Sequence, residues 1–217
     1  METHRKTLVR RGFLFGVPFL YLVLGLLHPM MDPKVGDDTG LFIGLHYAQL
    51  FLIGGLAYVL WLLVEGVGGR AATVTRALIL PYVILYTTLD ALAGIGMGGL
   101  IRSANALPVA EQATVGRFLE EAREADVAGY AVYFGASLFW FAAVLAAAVA
   151  LRNHAPRPAL VLLALGALVF GIAHPKPTGP IGMALLLAGL IWLELRPRAE
   201  EALPPVTAER SAAPLGA

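Results

Sequence analysis

The chain contains no cysteine. That excludes disulfides, iron–sulfur clusters and thiolate metal sites. Charge is also scarce: 14% of the 217 residues are Asp, Glu, Lys or Arg, while 58% are hydrophobic. A soluble domain carries about 25% charged and about 45–50% apolar residues, so this is the composition of a membrane protein. No segment sustains a period-two alternation, which argues against strands. There is no HExxH, no pair of histidines four residues apart, no nucleophile elbow and no phosphate-cradling glycine loop. Basic residues form no nucleic-acid surface, so membrane lipids are the expected surroundings and nucleic acid is not an expected partner.

What is present is a series of six apolar segments, at residues 12–28, 41–64, 77–101, 127–151, 159–173 and 181–195. Each approaches the roughly 20 residues a spanning helix needs, although the fifth is short. Backbone groups cannot stay unpaired in lipid, so these segments must be helices. The start, METHRKTLVRR, resembles a signal peptide in its basic residues. The apolar run after it is long and lacks a small-residue cleavage site, so it reads as a retained first helix. The expectation is an all-α, six-helix transmembrane bundle forming a single domain over residues 1–196. Residues 197–217, rich in proline, read as a disordered cytoplasmic tail.

Charge distribution orients the bundle. Arg5, Lys6, Arg10, Arg11, Arg70, Arg76, Arg152, Arg157, Arg196, Arg198 and Arg210 fall at one set of segment ends. The opposite loops hold few basic residues and most of the acids, among them Asp32, Glu120 and Asp126. Both termini are therefore expected in the cytoplasm, with the protein in the plasma membrane. Between the third and fourth segments, Val115, Phe118, Leu119 and Ala122 recur at helical spacing, which predicts a short amphipathic helix in that outer loop, opened by Pro108. Glu65 and Glu194 end apolar segments on the cytoplasmic side, where pairing with Arg70 and Arg196 is expected.

Two features carry possible chemistry. Asp90 lies deep in the apolar stretch 80–99, and a carboxylate there costs about 2.5–3.5 kcal/mol on insertion scales. Tyr82, Tyr86 and Thr87 share its helical face, so their hydroxyls are candidate partners. Gly94 and Gly98 permit a neighbouring helix to come close. The second feature is one-sided histidine: His28, His46 and His174 all fall toward the outer side. The segments before His28 and His174 end alike, each stopped by His-Pro, and a helix stop is the simpler reading of that pair. At about 1.5 Å per residue, Asp90 lies about 15 Å and His46 about 8 Å below the outer helix ends. Tilt, a kink near Pro81 or an early end to the third helix is needed to bring them together. Gln49, one turn below His46, matches Asp90 better in depth.

These residues suggest an outward-facing polar pocket with Asp90 and Gln49 at its floor and histidines at its mouth. Tyr86 and Arg102 are further candidate ligand-binding residues, and Tyr133 a rim residue. Three chemistries fit. His28, His46, His174 and Asp90 suit a divalent metal with a water, two histidines suit a haem, and His with Asp suits a proton relay. The pocket would then bind a small ligand, a lipid headgroup or a metal ion, or serve a metal- or haem-dependent enzyme. The alternative is a structural or partner-binding membrane protein in which Asp90, satisfied by Tyr and Thr hydroxyls, locks helix packing.

Overall fold

The computed structural model describes residues 2–29, 32–172, 174 and 176–195, and these residues contain no strand. Eight α-helices follow in order: α1 (Glu2–Leu27), α2 (Gly40–Leu63), α3 (Arg70–Leu89), α4 (Met97–Asn105), α5 (Val109–Glu124), α6 (Val127–Leu151), α7 (Arg157–Ile172) and α8 (Thr178–Leu195). A π-helical turn (Asp90–Gly96) joins α3 to α4, so the two form one continuous rod of 36 residues. The expected tail at 197–217, with Arg196, lies outside the described residues.

Five helical segments are long and apolar enough to cross a membrane: Arg5–Leu27, Gly40–Leu63, Arg70–Asn105, Val127–Leu151 and Thr178–Leu195. The sixth, α7, is apolar but has 16 residues. The third segment extends past its expected end at residue 101, because the π-turn and α4 continue it to Asn105. The chain also runs helically through Pro81, and the irregular backbone comes nine residues later, at Asp90.

The long helices close a ring. α1 packs on α2, α2 on α3, α3 on α6, α6 on α7, α7 on α8, and α8 back on α1. Aromatic side chains fill the ring's interior. Phe170 stands edge-on to Tyr21 at 5.2 Å and to Trp140 at 5.8 Å, and stacks on Tyr86 at 5.9 Å. Tyr82 extends the column to Trp140 at 5.1 Å. The outer surface is apolar too: Phe51 is 83% exposed, and Leu80, Leu92 and Leu138 are all more than half exposed. An apolar surface around a core that buries His28, His46, Gln49 and Asp90 is the arrangement a bilayer selects.

One end of the ring gathers basic residues. Arg10 reaches Glu194 at 2.9 Å, Glu65 at 3.4 Å and the Leu62 carbonyl at 3.0 Å, tying α1 to the ends of α2 and α8. The guanidinium of Arg10 projects between the two helix ends and reaches both carboxylates, so Glu65 has Arg10 in place of the expected Arg70, while Arg196, the partner expected for Glu194, lies outside the described residues. At the opposite end, Asn105 binds the α1–α2 loop through the Gly36 amide and the Asp37 carbonyl. α5 forms where a loop helix was expected, with Pro108 just before it. Its inward stripe differs from expectation. Leu119 is buried and Val115 half-buried, but Phe118 and Ala122 face outward, and Gln112, Gly116 and Arg123 complete the inner face. Lys34–Glu120 at 2.8 Å and Arg123–Asp32 at 3.1 Å pin this helix to the α1–α2 loop. The Lys34 ammonium, through its hydrogen bond, holds the Glu120 carboxyl below its usual range.

α7 and α8 touch backbone to backbone. A β-carbon on Gly166 would stand 2.6 Å from the Leu186 nitrogen, and one on Gly182 would stand 2.5 Å from the Phe170 nitrogen. No side chain can rotate away to relieve such a clash. Gly166→Val is therefore expected to destabilise the protein by about 1–3 kcal/mol, the usual cost of overpacking. Thermal unfolding in detergent measures it; an unchanged midpoint would contradict this packing.

Candidate functional site

His28, His46 and His174 come together at the end of the ring that carries α5. One ligating nitrogen from each lies within 4.8 Å of the other two. Their rings meet edge to face, with centroids 5.1 Å apart for His28–His46 and 5.4 Å for His28–His174. Each position has a local cause. His28 follows the last turn of α1, where Pro29 forbids further helix. His46 sits on the inner face of α2, and His174 lies in the α7–α8 loop. The turn carrying His174 is tight: a β-carbon on Gly179 would overlap the His174 carbonyl. The shared His-Pro ending of the two segments thus brings two imidazoles face to edge.

Hydrogen bonds orient the rings. Nδ1 of His28 donates to the Pro29 carbonyl at 2.9 Å, and Nδ1 of His46 donates to the Phe42 carbonyl at 2.8 Å. A carbonyl only accepts, so both protons sit on Nδ1 and both Nε2 lone pairs are left free. Nε2 of His28 and Nδ1 of His174 are buried with no hydrogen-bond partner among the described residues. Burial, and after it the neighbouring imidazoles of His28 and His46, push the basicity of His174 down. Three imidazoles therefore converge, and at least two present a buried nitrogen with no hydrogen-bond partner among the described residues. A backbone carbonyl on the far nitrogen is the outer-shell arrangement that metal-ligating histidines use.

Asp90 lies at the start of the π-turn and is 1% exposed. Neither of its carboxylate oxygens has a hydrogen-bond partner among the described residues. The expectation that Tyr82, Tyr86 or Thr87 satisfies it is thus corrected. Tyr82 is itself buried with an unpartnered hydroxyl, and Tyr82 and Tyr86 belong to the aromatic column. Asp90 is also absent from the set of mutually close ligating atoms, which contains histidines alone.

Asp90 and the three histidines line one cavity of about 370 Å³. Asp32, Phe42, Arg123, Asp126, Tyr130 and Tyr133 share its wall. Tyr133 stands at the expected rim and donates to the carbonyl of Ile172. Three candidates fall elsewhere. Gln49 is fully buried with both amide atoms unpartnered, but it is not in the cavity wall. Tyr86 lies beside His174, with centroids 6.1 Å apart, and is not in the wall either. Arg102 is exposed, beyond the π-turn on α4. Sequence reasoning missed Asp32, Arg123 and Asp126 as wall residues. Their signal was their place in the short loops at the histidine end.

His46 reaches this position because α2 meets the π-turn at Gly94. A β-carbon there would lie 2.0 Å from Cδ2 of His46. Gly98 serves the same contact one turn on, against Ile43 and Phe42. Compared with protein-family models, curated proteins and solved structures, the chain matches none.

Zn–N bonds of about 2.0–2.1 Å in a tetrahedral site put ligand nitrogens about 3.3 Å apart, and the three imidazole nitrogens here lie within 4.8 Å of one another.

The buried, unpartnered carboxylate separates a packing role from a chemical one. Desolvating such a group costs stability of about 1–3 kcal/mol or more. Asp90→Leu is therefore expected to raise the unfolding midpoint of the metal-free protein, by about 2–4 °C per kcal/mol for a chain of this length. A lowered midpoint in a thermal scan would make Asp90 a packing residue.

Proposed function

We propose that this chain is a multi-pass membrane protein that holds a divalent metal ion, Zn²⁺ by donor type, on His28, His46 and His174. Three histidine donors would leave such an ion an open position, and the chemistry it would supply is that of a membrane-embedded, metal-dependent hydrolytic enzyme. The observation that carries this reading is the convergence of three imidazoles, two of which, those of His28 and His174, present a buried nitrogen with no hydrogen-bond partner among the described residues. Three histidines leave one tetrahedral position for water, and Zn²⁺ lowers the pKa of bound water to about 7. Asp90 stands in the same cavity with two free oxygens. In this reading Asp90 would accept a proton from that water and later return one to a leaving group.

The charge pattern supports an orientation. The end with Arg10, Arg11, Arg70, Arg76, Arg152 and Arg157 faces the cytoplasm, and the metal centre lies toward the outer surface of the plasma membrane. The aromatic column from Tyr86 through Phe170 to Trp140 fills the ring beneath the histidines. That filling favours an enzyme open on one side over a transporter, which needs access from both.

Purified full-length protein incubated with Zn²⁺ and freed of excess is expected to retain one equivalent by elemental analysis. His28→Ala, His46→Ala and His174→Ala should each weaken binding by more than the about 10–100-fold that losing an outer-shell partner costs. Wild-type protein without the ion, or histidine variants that bind like wild type, would overturn the reading.

A further inference from the structure

The cavity at the metal centre does not end at the histidines. A second hollow, of about 480 Å³, adjoins it and shares Asp32, Leu89, Ala93, Arg123, Asp126 and Gly129 with its wall. The remaining lining of this second hollow is apolar: Leu92, Met97, Ala122, Ala125, Ala128 and Val132. The first hollow carries the metal donors and Asp90, whereas the second adds no ionisable group beyond those shared.

The π-turn creates this passage. Below it, α3 packs along α6 more extensively than most neighbouring helices pack. Above Leu89 the partner changes. The π-turn and α4 pack on α2, and neither pairs extensively with α6. The rod thus leans away from α6 where the polar cavity lies, opening a slot between them. Small residues keep the slot clear, with Ala93 on one wall and Ala128 and Gly129 on the other. The end of α5 roofs it at Ala122 and Arg123, held by the Arg123–Asp32 pair. Leu92, at its lip, is 67% exposed on the lipid-facing surface of the rod.

We infer that the site takes a membrane amphiphile that enters sideways from the bilayer, its acyl chain in this slot and its head in the cavity of the metal centre. This rests on the metal-centre reading above. A water-soluble substrate needs no apolar side passage, and a slot between two membrane-crossing segments meets acyl chains before it meets water. The head region fits an uncharged or zwitterionic group. The cavity wall holds the acids Asp32, Asp90 and Asp126 beside a single cation, Arg123, so an anionic head would find little to pair with. Arg123 keeps its Nε buried and without a partner, a donor available to a head oxygen beside the ion. An ester or amide carbonyl at the junction of chain and head would then lie nearest the open metal position. A bound divalent ion would activate water for addition to the carbonyl carbon, with Asp90 taking the water's proton; the carbon–oxygen or carbon–nitrogen bond would then break, and the leaving alcohol or amine would take that proton. The products are a fatty acid and the released head, with water as the sole co-reactant.

The test uses full-length protein in phosphatidylcholine nanodiscs with a monoacylglycerol that carries a photoactivatable diazirine in mid-chain. After irradiation, cross-linked peptides are mapped by mass spectrometry, and bound Zn²⁺ is measured in the same preparation. Cross-links are expected to concentrate on Leu92, Met97, Ala128 and Val132. Ala128→Trp, at an exposed position on the slot wall, should reduce them at least tenfold, with Zn²⁺ stoichiometry and unfolding midpoint retained. Cross-links spread evenly over lipid-facing positions such as Phe51 and Leu138, with Zn²⁺ bound, overturn the sideways-access proposal and leave the metal centre standing. Concentrated cross-links with no Zn²⁺ overturn the metal centre and, with it, the catalytic part of this proposal. A failed Ala128→Trp fold does not blunt the test, because the wild-type map alone decides the location.

Discussion

The site depends on one close contact, Gly94 against the imidazole of His46. With only a hydrogen in place of a side chain, Gly94 lets the π-turn lie directly on α2. Any β-carbon there would collide with the ring and push apart the two helices that carry Asp90 and His46. Gly98 extends the same approach toward Ile43 and Phe42. The contact sets the position of His46, while the Phe42 carbonyl sets its rotation and tautomer. The same contact also draws the upper part of the rod toward α2 and away from α6. The placement of His46 and the apolar slot therefore both lie at one backbone irregularity. π-turns inside long helices often mark functional sites, and this one coincides with the sole carboxylate buried among the described residues.

The polar atoms tell the same story from the energetic side. Buried polar groups are normally satisfied, and each exception needs a reason. Several of the exceptions lie at the cavity: Nε2 of His28, Nδ1 of His174 and both oxygens of Asp90. In a bilayer the cost of such a set is higher than in a water-soluble core, because no bulk water lies nearby to relieve it. Nothing in helix packing requires it, since apolar residues would fill the same space without penalty. Three nitrogens and a carboxylate around one cavity are, in contrast, what a metal-bound water needs: donors for the ion and an acceptor for the proton. The surrounding ring supplies rigidity. The Tyr21, Tyr86, Phe170 and Trp140 column blocks the floor, and the α7–α8 backbone contact at Gly166 and Gly182 fixes the helices on either side of His174.

Much of this was legible in the residues themselves. Length and hydropathy locate the apolar helices to within a few residues, because a chain that must pair its backbone in lipid has no alternative to helix. Asp90 stands out as a charge in an apolar run, and the alternation of basic and acidic loops places His28, His46 and His174 at one end. What escaped is direction. Counting at 3.6 residues per turn puts Tyr82, Tyr86 and Asp90 on one face, and they do share the interior, but their polar atoms do not meet. Beyond Asp90 the π-turn breaks the count altogether, so Arg102 points to the exterior instead of the cavity. Asp32 and Arg123 escaped for a different reason. Asp32 lies in the α1–α2 loop and Arg123 in the last turn of α5, and no periodicity reports that α5 bends back over the ring. The inner stripe of α5 was misplaced similarly: Phe118 is the more apolar residue, yet the smaller Gly116 and the Leu119 beside it face the bundle, where space is limited.

The central claim is that three imidazoles hold one ion and leave a position for water. X-ray absorption at the zinc edge of Zn²⁺-loaded, full-length protein tests it most directly. The expected first shell has three imidazole nitrogens and one oxygen at about 2.0–2.1 Å, with the outer-ring scattering of three histidines, and a single His46→Ala substitution should remove one of the three. A shell of six oxygens, or one with a single imidazole, would contradict the account.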